Sequence, residues 1–486
     1  MTIESPQAKF DALMATHQYA AASKLAQGLK EKQPRNGQWW YLSARAAFAV
    51  GHLGVAHDEI ERAATLRPNE PPILLQQAII DHRIGRTARA LERLERVLRE
   101  PGLVGREANI TYADILSRAN RQTELDAHLS RGGEWINDAR SQIFVGRRLS
   151  STDPPAAVAL LTQLLRSDAP SHARRIAGFE AVKLLDSLKR YREAFDLAGE
   201  THARTNTRYD IGALERQVEE QRQLLERPSW LGTRRAAPVS GVALVAALPR
   251  SGTTLIEQMF DRHPQISGIG EYQGVRVIGE SALMSGYWPG EIARAPQAQL
   301  QAWQDDYLKG ARFLTRDGAS WSFDKTLKVW RWVPLLSVVL PGAVYIAIDR
   351  DPRDNAISMF LGNFHPQSMG WTGSMDSLRR AITAHRTILP EALSRLELPH
   401  EAMIYEDFIA DPRAHAQRCF ARLGLPMDDA TLSPEQNTRM VLTLSHEQVR
   451  KPINRGSIGR WRNYEFAFDE SWSALSRTHD ARRTSP

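Results

Sequence analysis

The chain has 486 residues, 42% of them hydrophobic, with a single cysteine, Cys419, and a formal net charge of +7. That length exceeds what one domain needs, and one cysteine excludes an intramolecular disulfide framework and a cysteine-based zinc cluster. There is no apolar leader and no run of eighteen apolar residues, so a soluble, cytoplasmic protein without a membrane span is expected. The positive charge comes with no basic run and no aromatic-rich motif, which fits an anionic ligand and not nucleic acid.

The first two hundred residues are helix-periodic and rich in Ala, Leu, Arg and Glu. Ala22, Ala56 and Ala90 recur at a step of 34, as do Ala26, Ile60 and Leu94, and Leu29, Ala63 and Val97. Pro34 and Pro68 close two units, and Gly51 and Gly85 mark turns between helices. Small side chains at Ala56 and Ala90 let paired helices approach closely, and Trp40 fills the large-residue slot of its first helix. This pattern resembles the tetratricopeptide repeat. The register weakens after residue 101, although Tyr191–Glu200 still reads as the second helix of such a unit. Four to six helical hairpins are expected, because one repeat cannot bury its apolar face alone. Such an array presents a concave surface suited to a protein or peptide partner.

Glu215–Gly232 reads as a closing helix that ends at Pro228, followed by a linker. Short apolar strands then alternate with helices, an α/β grammar. Strands are expected over Val242–Leu248 and Ala343–Ile348, with helices opening near Thr253 and Asp354. The expected organisation is an α-helical repeat solenoid over residues 1–214, a closing helix and linker over 215–239, and an α/β domain with a central parallel sheet over 240–486.

The segment VALVAALPRSGTTL (Val242–Leu255) is a buried strand, a tight turn and the start of a helix. A helix N-terminus offers free N–H groups and partial positive charge, so the turn can cradle a phosphate- or sulfate-like group. A nucleotide triphosphatase loop would read GxxxxGK followed by Ser or Thr, with a lysine for the terminal phosphates and a hydroxyl for magnesium. Here that lysine is missing and Arg250 precedes the turn, so the loop reads as an anion site without a metal.

YIAIDRDPRDNAISMF (Tyr345–Phe360) carries a second constellation. Arg350 leaves the carboxyl end of a strand and Ser358 follows on the next helix. Ligands in open α/β sheets bind outside the carboxyl ends of strands, so both segments can face one ligand. Arg350 can grip a phosphate by a charge-assisted fork, with the Ser358 hydroxyl adding a bond. Two such grips suit a nucleotide phosphorylated at both ends of its ribose. Read alone, Arg350, Asp351, Arg353 and Asp354 would be surface ion pairs at a helix start.

Together, PRSGTTL with the following HP at 263–264 and Glu271, DKT at 324–326 and RDPRDNAIS at 350–358 resemble the sulfotransferase family that uses 3′-phosphoadenosine-5′-phosphosulfate (PAPS). The resemblance covers roughly residues 240–465 and is similar in pattern to the tyrosylprotein sulfotransferases and the bacterial repeat-fused sulfotransferases. It implies a P-loop-like α/β fold. It further implies that Arg250, Ser251, Gly252, Thr253 and Thr254 cradle the 5′-phosphosulfate and that Arg350 and Ser358 bind the 3′-phosphate. Glu271 would be the general base for the acceptor hydroxyl, and Lys325 would offset charge on the leaving phosphate. Cytosolic small-molecule sulfotransferases use a histidine base instead; His263 and His365 rank below Glu271 for that role.

Met403–Pro426 resembles the family segment in which Tyr405 would touch the nucleotide or acceptor, with a packing tyrosine as the alternative. Leu444–Tyr464 looks like the family's lid. Ser445 matches a nucleotide-contacting serine, while Arg460 precedes Trp461 where the family has a lysine, which keeps the charge and changes the geometry. The remaining tail reads as weakly structured. The expected activity is sulfuryl transfer from PAPS, without a metal, to an acceptor hydroxyl of a protein, glycan or small molecule, with protein tyrosine suggested by the base. Against it stand a kinase on the same type of fold and a repeat scaffold carrying an inactive nucleotide domain. Oligomeric state is not legible.

Overall fold

The computed structural model describes residues 5–205, 209–227, 234–437 and 452–484. The chain divides into two compact units, Met1–Phe144 and Val145–Pro486. In the first, helices pair as hairpins: α1 (Pro6–Ala15) with α2 (Tyr19–Lys32), α3 (Gly37–Val50) with α4 (Leu53–Leu66), α5 (Pro71–Arg83) with α6 (Thr87–Glu95), and α7 (Gly102–Arg118) with α8 (Gln122–Ser130). Ala22, Ala26, Ala56, Ala63 and Ala90 have no exposed surface, so these are the positions where helix backbones approach. Gly51 caps α3 in the left-handed conformation at φ +88°, which a residue with a Cβ adopts only with strain. Trp40 packs on the core and donates from Nε1 to the Pro34 carbonyl at 2.8 Å, which fixes the turn between two hairpins. The hairpin pattern continues past residue 101 where the sequence repeat fades. Tyr112, Ile115, Leu116, Leu125 and Leu129 there bury the same faces with larger side chains.

The division between the units falls within α9 (Ala139–Thr152). The second unit continues with α10 (Pro154–Arg166), α11 (Ser171–Ser187), α12 (Tyr191–Thr205) and α13 (Ile211–Glu226). α12 contains the segment expected at Tyr191–Glu200. α11 and α12 are tightly apposed: a Cβ on Gly178 would lie 2.4 Å from Thr201 Oγ1.

Beyond them lies a five-stranded sheet, all parallel among the described residues, in the order β2-β3-β1-β4-β5. Its strands are β1 (Val242–Ala247), β2 (Ile266–Gly270), β3 (Trp321–Asp324), β4 (Val344–Asp349) and β5 (His400–Ile404). Both expected strands are present and adjacent, with Val245 opposite Ile346. Every residue of β1 is buried, as a central parallel strand covered on both faces requires. Val245, Ile346, Phe260, Phe323 and Phe420 share one core, where each fully buried side chain contributes about 1.5–3 kcal/mol.

The helices of this layer are α14 (Thr253–Phe260), α15 (Gly274–Met284), α16 (Gln297–Leu314), α17 (Val333–Val339), α18 (Pro352–Phe360), α19 (Met375–Arg395), α20 (Tyr405–Ala410), α21 (Pro412–Arg422) and α22 (Ser473–Thr484). α13 is joined to α19 by Arg222–Glu391 at 2.8 Å and by Arg380 to Glu215 at 2.7 Å. The C-terminal tail corrects the expectation of weak structure: it forms α22, because Trp472 and His479 are buried and anchor an otherwise polar segment. No helix among the described residues is long and apolar enough to cross a membrane.

Candidate active site

Every strand of the sheet delivers a singled-out residue just past its carboxyl end. β1 leads into the Pro249–Thr254 turn, β2 into Glu271, β3 into Lys325, β4 into Arg350 and β5 into Tyr405. Five distant segments therefore meet at one edge, where open α/β sheets bind ligands.

The turn after β1 holds two left-handed residues, Arg250 at φ +65° and Gly252 at φ +91°. A non-glycine residue there is strained and persists only where its surroundings impose it. The surroundings are specific. Asn355 of α18 donates from Nδ2 to the Pro249 carbonyl at 2.8 Å and lies 3.3 Å from Ser251 Oγ, and Arg350 Nη1 donates to the Arg250 carbonyl at 2.6 Å. Tyr405 closes the other side, since a Cβ on Gly252 would sit 2.4 Å from its Cδ2. Ser251, Thr253 and Thr254 are buried against this frame at the start of α14.

The two segments expected to bind anions are in direct contact. Arg250 Nε donates to Ser358 Oγ at 2.9 Å across 108 residues of sequence. Arg350 also donates to the Ser457 carbonyl and stacks over the Tyr405 ring at 4.8 Å, and the Tyr405 hydroxyl meets Ser457 Oγ at 2.8 Å. Burial, reinforced by the charges of Arg350 and Arg460, brings the Arg250 guanidinium down to about 10. Arg250 and Arg350 thus sit together at this turn. Arg350 is 7% exposed, and its buried Nε has no hydrogen-bond partner among the described residues. Like charges crowded in this way favour a multivalent anion between them.

Behind Arg350, Arg386 of α19 donates to the Arg350 carbonyl and to Asp349, at 2.9 and 3.0 Å. In front of it runs the 452–467 segment. The N–H groups of Gly459 and Trp461 donate to the Asp354 carboxylate at 2.6 and 2.8 Å, and Arg353 stacks on Trp461 at 3.7 Å.

Glu271 and Lys325 form the reactive-looking pair. Gly270 ends β2 at φ +73°, just past a register shift against β3. Its N–H donates to Glu257 of α14 at 2.8 Å and its carbonyl accepts from Lys325 N at 3.0 Å, so the next residue is aimed rather than loose. Lys325 Nζ then reaches Glu271 Oε1 at 2.9 Å; the lysine is 1% exposed and the carboxylate 34%. Beneath them, Asp324 accepts from Thr326 N, Thr326 Oγ1 and Tyr307 OH at 2.9, 2.7 and 2.9 Å. Burial pushes the Asp324 carboxyl up to about 7 against those bonds.

Residues 243–429 match the family model described as the sulfotransferase family. The α/β layer is a sulfotransferase-family domain. The chain is also similar, at 27% identity over 63% of its length, to 42% of an uncharacterized protein of Aquifex aeolicus (strain VF5). It is 24% identical over 45% of its length to 60% of protein-tyrosine sulfotransferase A of Caenorhabditis elegans. It spans less than two thirds of either of these curated relatives. A solved sulfotransferase domain, from the Synechococcus PCC 7002 olefin synthase, aligns with 51% of this chain and 96% of its own at 20% identity and a TM-score of 0.36.

Within the sulfotransferase domain, Arg250, Ser251, Gly252, Thr253, Thr254, Arg350, Ser358 and Tyr405 gather at one edge of the sheet, with Glu271 and Lys325 at the neighbouring strand ends. The Arg460 side chain is bonded to Asp186 of α11, at 2.6 Å. Ser445 falls outside the described residues. His263 is buried in its turn, where Nδ1 accepts from Gln265 N at 3.2 Å, and His365 is exposed. Asn355, Glu257, Asp354 and Arg386 were not singled out from sequence. Asn355 and Asp354 stand inside the RDPRDNAIS motif, whose polar residues other than Arg350 and Ser358 read as ordinary helix-start groups. Glu257 and Arg386 look like any charged residue on an amphipathic helix.

Proposed function

We propose that the chain transfers a sulfuryl group from PAPS to an acceptor hydroxyl, with the phenol of a protein tyrosine as the first acceptor class to test. The observation that carries this reading is the Glu271–Lys325 pair, 2.9 Å apart at the ends of β2 and β3, at the same edge as the Pro249–Thr254 turn and Arg350. A kinase site would need a group for magnesium and the terminal phosphates. In the loop of such a site the lysine belongs to the turn itself; here the turn carries Arg250, and the lysine of this edge, Lys325, comes from the end of β3 and is paired with Glu271.

The residues fit a doubly phosphorylated nucleotide. Arg350, with its unbonded Nε, and Ser358 would take the 3′-phosphate, and the Pro249–Thr254 turn with the first turn of α14 would take the 5′ group. The donor supplies an activated sulfuryl group; positioning and electrostatics are the protein's part. Glu271 accepts the acceptor's proton as the new O–S bond forms and the S–O bond to the 5′-phosphate breaks. A phenol has a pKa of about 10, so the carboxylate acts during transfer and not before it. Lys325 holds the carboxylate in place and carries the cation that offsets charge developing on the leaving phosphate oxygen. The helical hairpins of the first unit are proposed to recruit or orient the acceptor or a partner protein.

The test is calorimetry with adenosine 3′,5′-bisphosphate in the presence of a metal chelator, followed by transfer of label from PAPS to a tyrosine-containing peptide. Binding that is lost in Arg350→Ala and transfer that is lost in Glu271→Gln are expected. No binding by the wild type, or undiminished binding by Arg350→Ala, would overturn the reading.

A further inference from the structure

Arg460 is held by two different elements. Its neighbours Gly459 and Trp461 donate their N–H groups to the two oxygens of Asp354, so the Arg460 main chain is pinned on α18. Asp354 lies one helical turn before Ser358, on the same face. The Arg460 side chain, however, is bonded to α11: Nη2 sits 2.6 Å from Asp186 Oδ2. Asp186 Oδ1 accepts from the Tyr464 hydroxyl, so one carboxylate holds two side chains of the 452–467 segment.

The hairpin carrying Asp186 is fixed against the same pocket wall. His202 Nε2 meets the Phe360 carbonyl at 2.9 Å and Arg175 Nε donates to the Phe364 carbonyl at 3.0 Å, which fastens the hairpin to the end of α18 and the chain just beyond it. Phe195 packs on Phe360 and Phe466, with ring centroids 4.7 and 5.5 Å apart, and Tyr191 packs on Tyr464 at 5.4 Å. Arg192 stacks over Phe466 at 3.5 Å. Asp186 is therefore placed by packing on both sides.

We propose that Asp186 is a positioning residue of the donor site, setting the Arg460 guanidinium toward the anion held by Arg250 and Arg350, so that the hairpin α11–α12 forms a wall of the nucleotide pocket. This rests on the reading of that pocket as a PAPS site. The charge order supports it. Gly459 and Trp461, either side of Arg460, are held by Asp354, one turn before the Ser358 that bonds Arg250, so the segment carrying the third arginine runs along the same helix. A carboxylate behind the outermost guanidinium and a phosphate in front of it give alternating charge. A rigid tether also lowers the ordering cost of a long side chain on binding. Burial works against the Arg460 charge, and the Asp186 carboxylate outweighs it.

Asp186→Asn keeps one acceptor oxygen, for Tyr464, and puts an NH2 donor where Oδ2 met Arg460, so it removes both the charge and the bond that hold the guanidinium. Calorimetry with adenosine 3′,5′-bisphosphate on the full chain is expected to show binding weakened about three- to tenfold, the scale of untethering one such side chain. In an Arg460→Ala background the same substitution is expected to change nothing further, a coupling that a general loss of stability would not produce. Asp186→Glu, which keeps the charge and displaces it by one methylene, is expected to fall between wild type and Asp186→Asn. Wild-type affinity in Asp186→Asn and Asp186→Glu, or losses that simply add in the double variant, would overturn the proposal. Failure of the wild type to bind the bisphosphate would instead strike the donor-site reading itself.

Discussion

Lys325 Nζ and Glu271 Oε1 are 2.9 Å apart although 54 residues of sequence separate them, and the lysine is buried while the carboxylate is half-exposed. The asymmetry gives each a distinct part. In the proposed transfer the buried lysine is a fixed charge, and the half-exposed carboxylate leaves one edge open for an acceptor. Glu271→Gln is therefore expected to lower kcat by about 10²–10⁴ with donor affinity unchanged. Lys325→Met is expected to cost about 10²–10³, as loss of one preorganised charge does. The double variant is expected to lose less than the product of the two, because the groups act as a unit. Single-turnover transfer from labelled donor, beside calorimetry of the bisphosphate, separates chemistry from binding. A lowered affinity with intact kcat in Glu271→Gln would remove it as the base.

Gly252 of the Pro249–Thr254 turn has no room for a side chain. At φ +91° an L-residue is strained by about 1–2 kcal/mol, and a new Cβ would meet Tyr405 at 2.4 and 2.6 Å. The ring cannot withdraw freely, since Arg350 stacks on it and Ser457 holds its hydroxyl. Gly252→Ala is expected to weaken bisphosphate binding by more than about tenfold and to lower the urea midpoint. Adding Tyr405→Ala is expected to restore part of the stability by removing the clash. A Gly252→Ala protein with wild-type affinity and midpoint would show that the turn is not under this constraint.

How far the sequence was legible follows from how local each feature is. The alanine step at residues 22, 56 and 90 is periodic and short-range, so the hairpins could be expected from it. The anion turn and the Arg350…Ser358 segment are contiguous motifs and could also be read. What could not be read is that these two segments interlock, through Arg250–Ser358 and Asn355–Pro249, because no periodicity reports on pairs about a hundred residues apart. Asp186 was invisible for the same reason: its partners Arg460 and Tyr464 lie at the far end of the chain. The tail misled by composition, since one buried histidine and one buried tryptophan outweigh its polar average.

Asp324 gives a pH dependence that does not require knowing the acceptor. Burial raises its carboxyl to about 7, opposed by the Thr326 and Tyr307 hydrogen bonds, against about 3.9 in an unfolded chain. Between those values the folded protein holds a proton that the unfolded chain has released. Stability from this group is therefore present at low pH and declines as pH rises from about 4 to about 7, by at most about 1.4 kcal/mol per pH unit. Asp324→Asn is expected to flatten that slope in urea unfolding curves at pH 5 and 7.5. An unchanged slope would mean that Asp324 is ionised throughout.

His479 of α22 defines a second window at higher pH. Its ring is 1% exposed and lies 3.5 Å from Asp349 and 3.4 Å from Glu406, with Arg386 Nη2 3.1 Å from Nδ1. Burial opposes charging the ring, but the carboxylates of Asp349 and Glu406 outweigh it and raise it to about 9. The folded-state value lies above the unfolded one, so this stabilisation is complete below about pH 6.5 and is lost as pH rises through about 9. The contact also reaches the anion site: Glu406 accepts from Asp351 N at 3.0 Å, and Asp349 precedes Arg350 at the end of β4. His479→Ala is expected to lower the unfolding free energy at pH 6 and to converge toward the wild type near pH 9.5. It is also expected to weaken bisphosphate binding at pH 7, because Arg350 loses its support from behind. A constant difference from pH 6 to 9.5 would assign the effect of His479 to packing alone, with no charge held between Asp349 and Glu406.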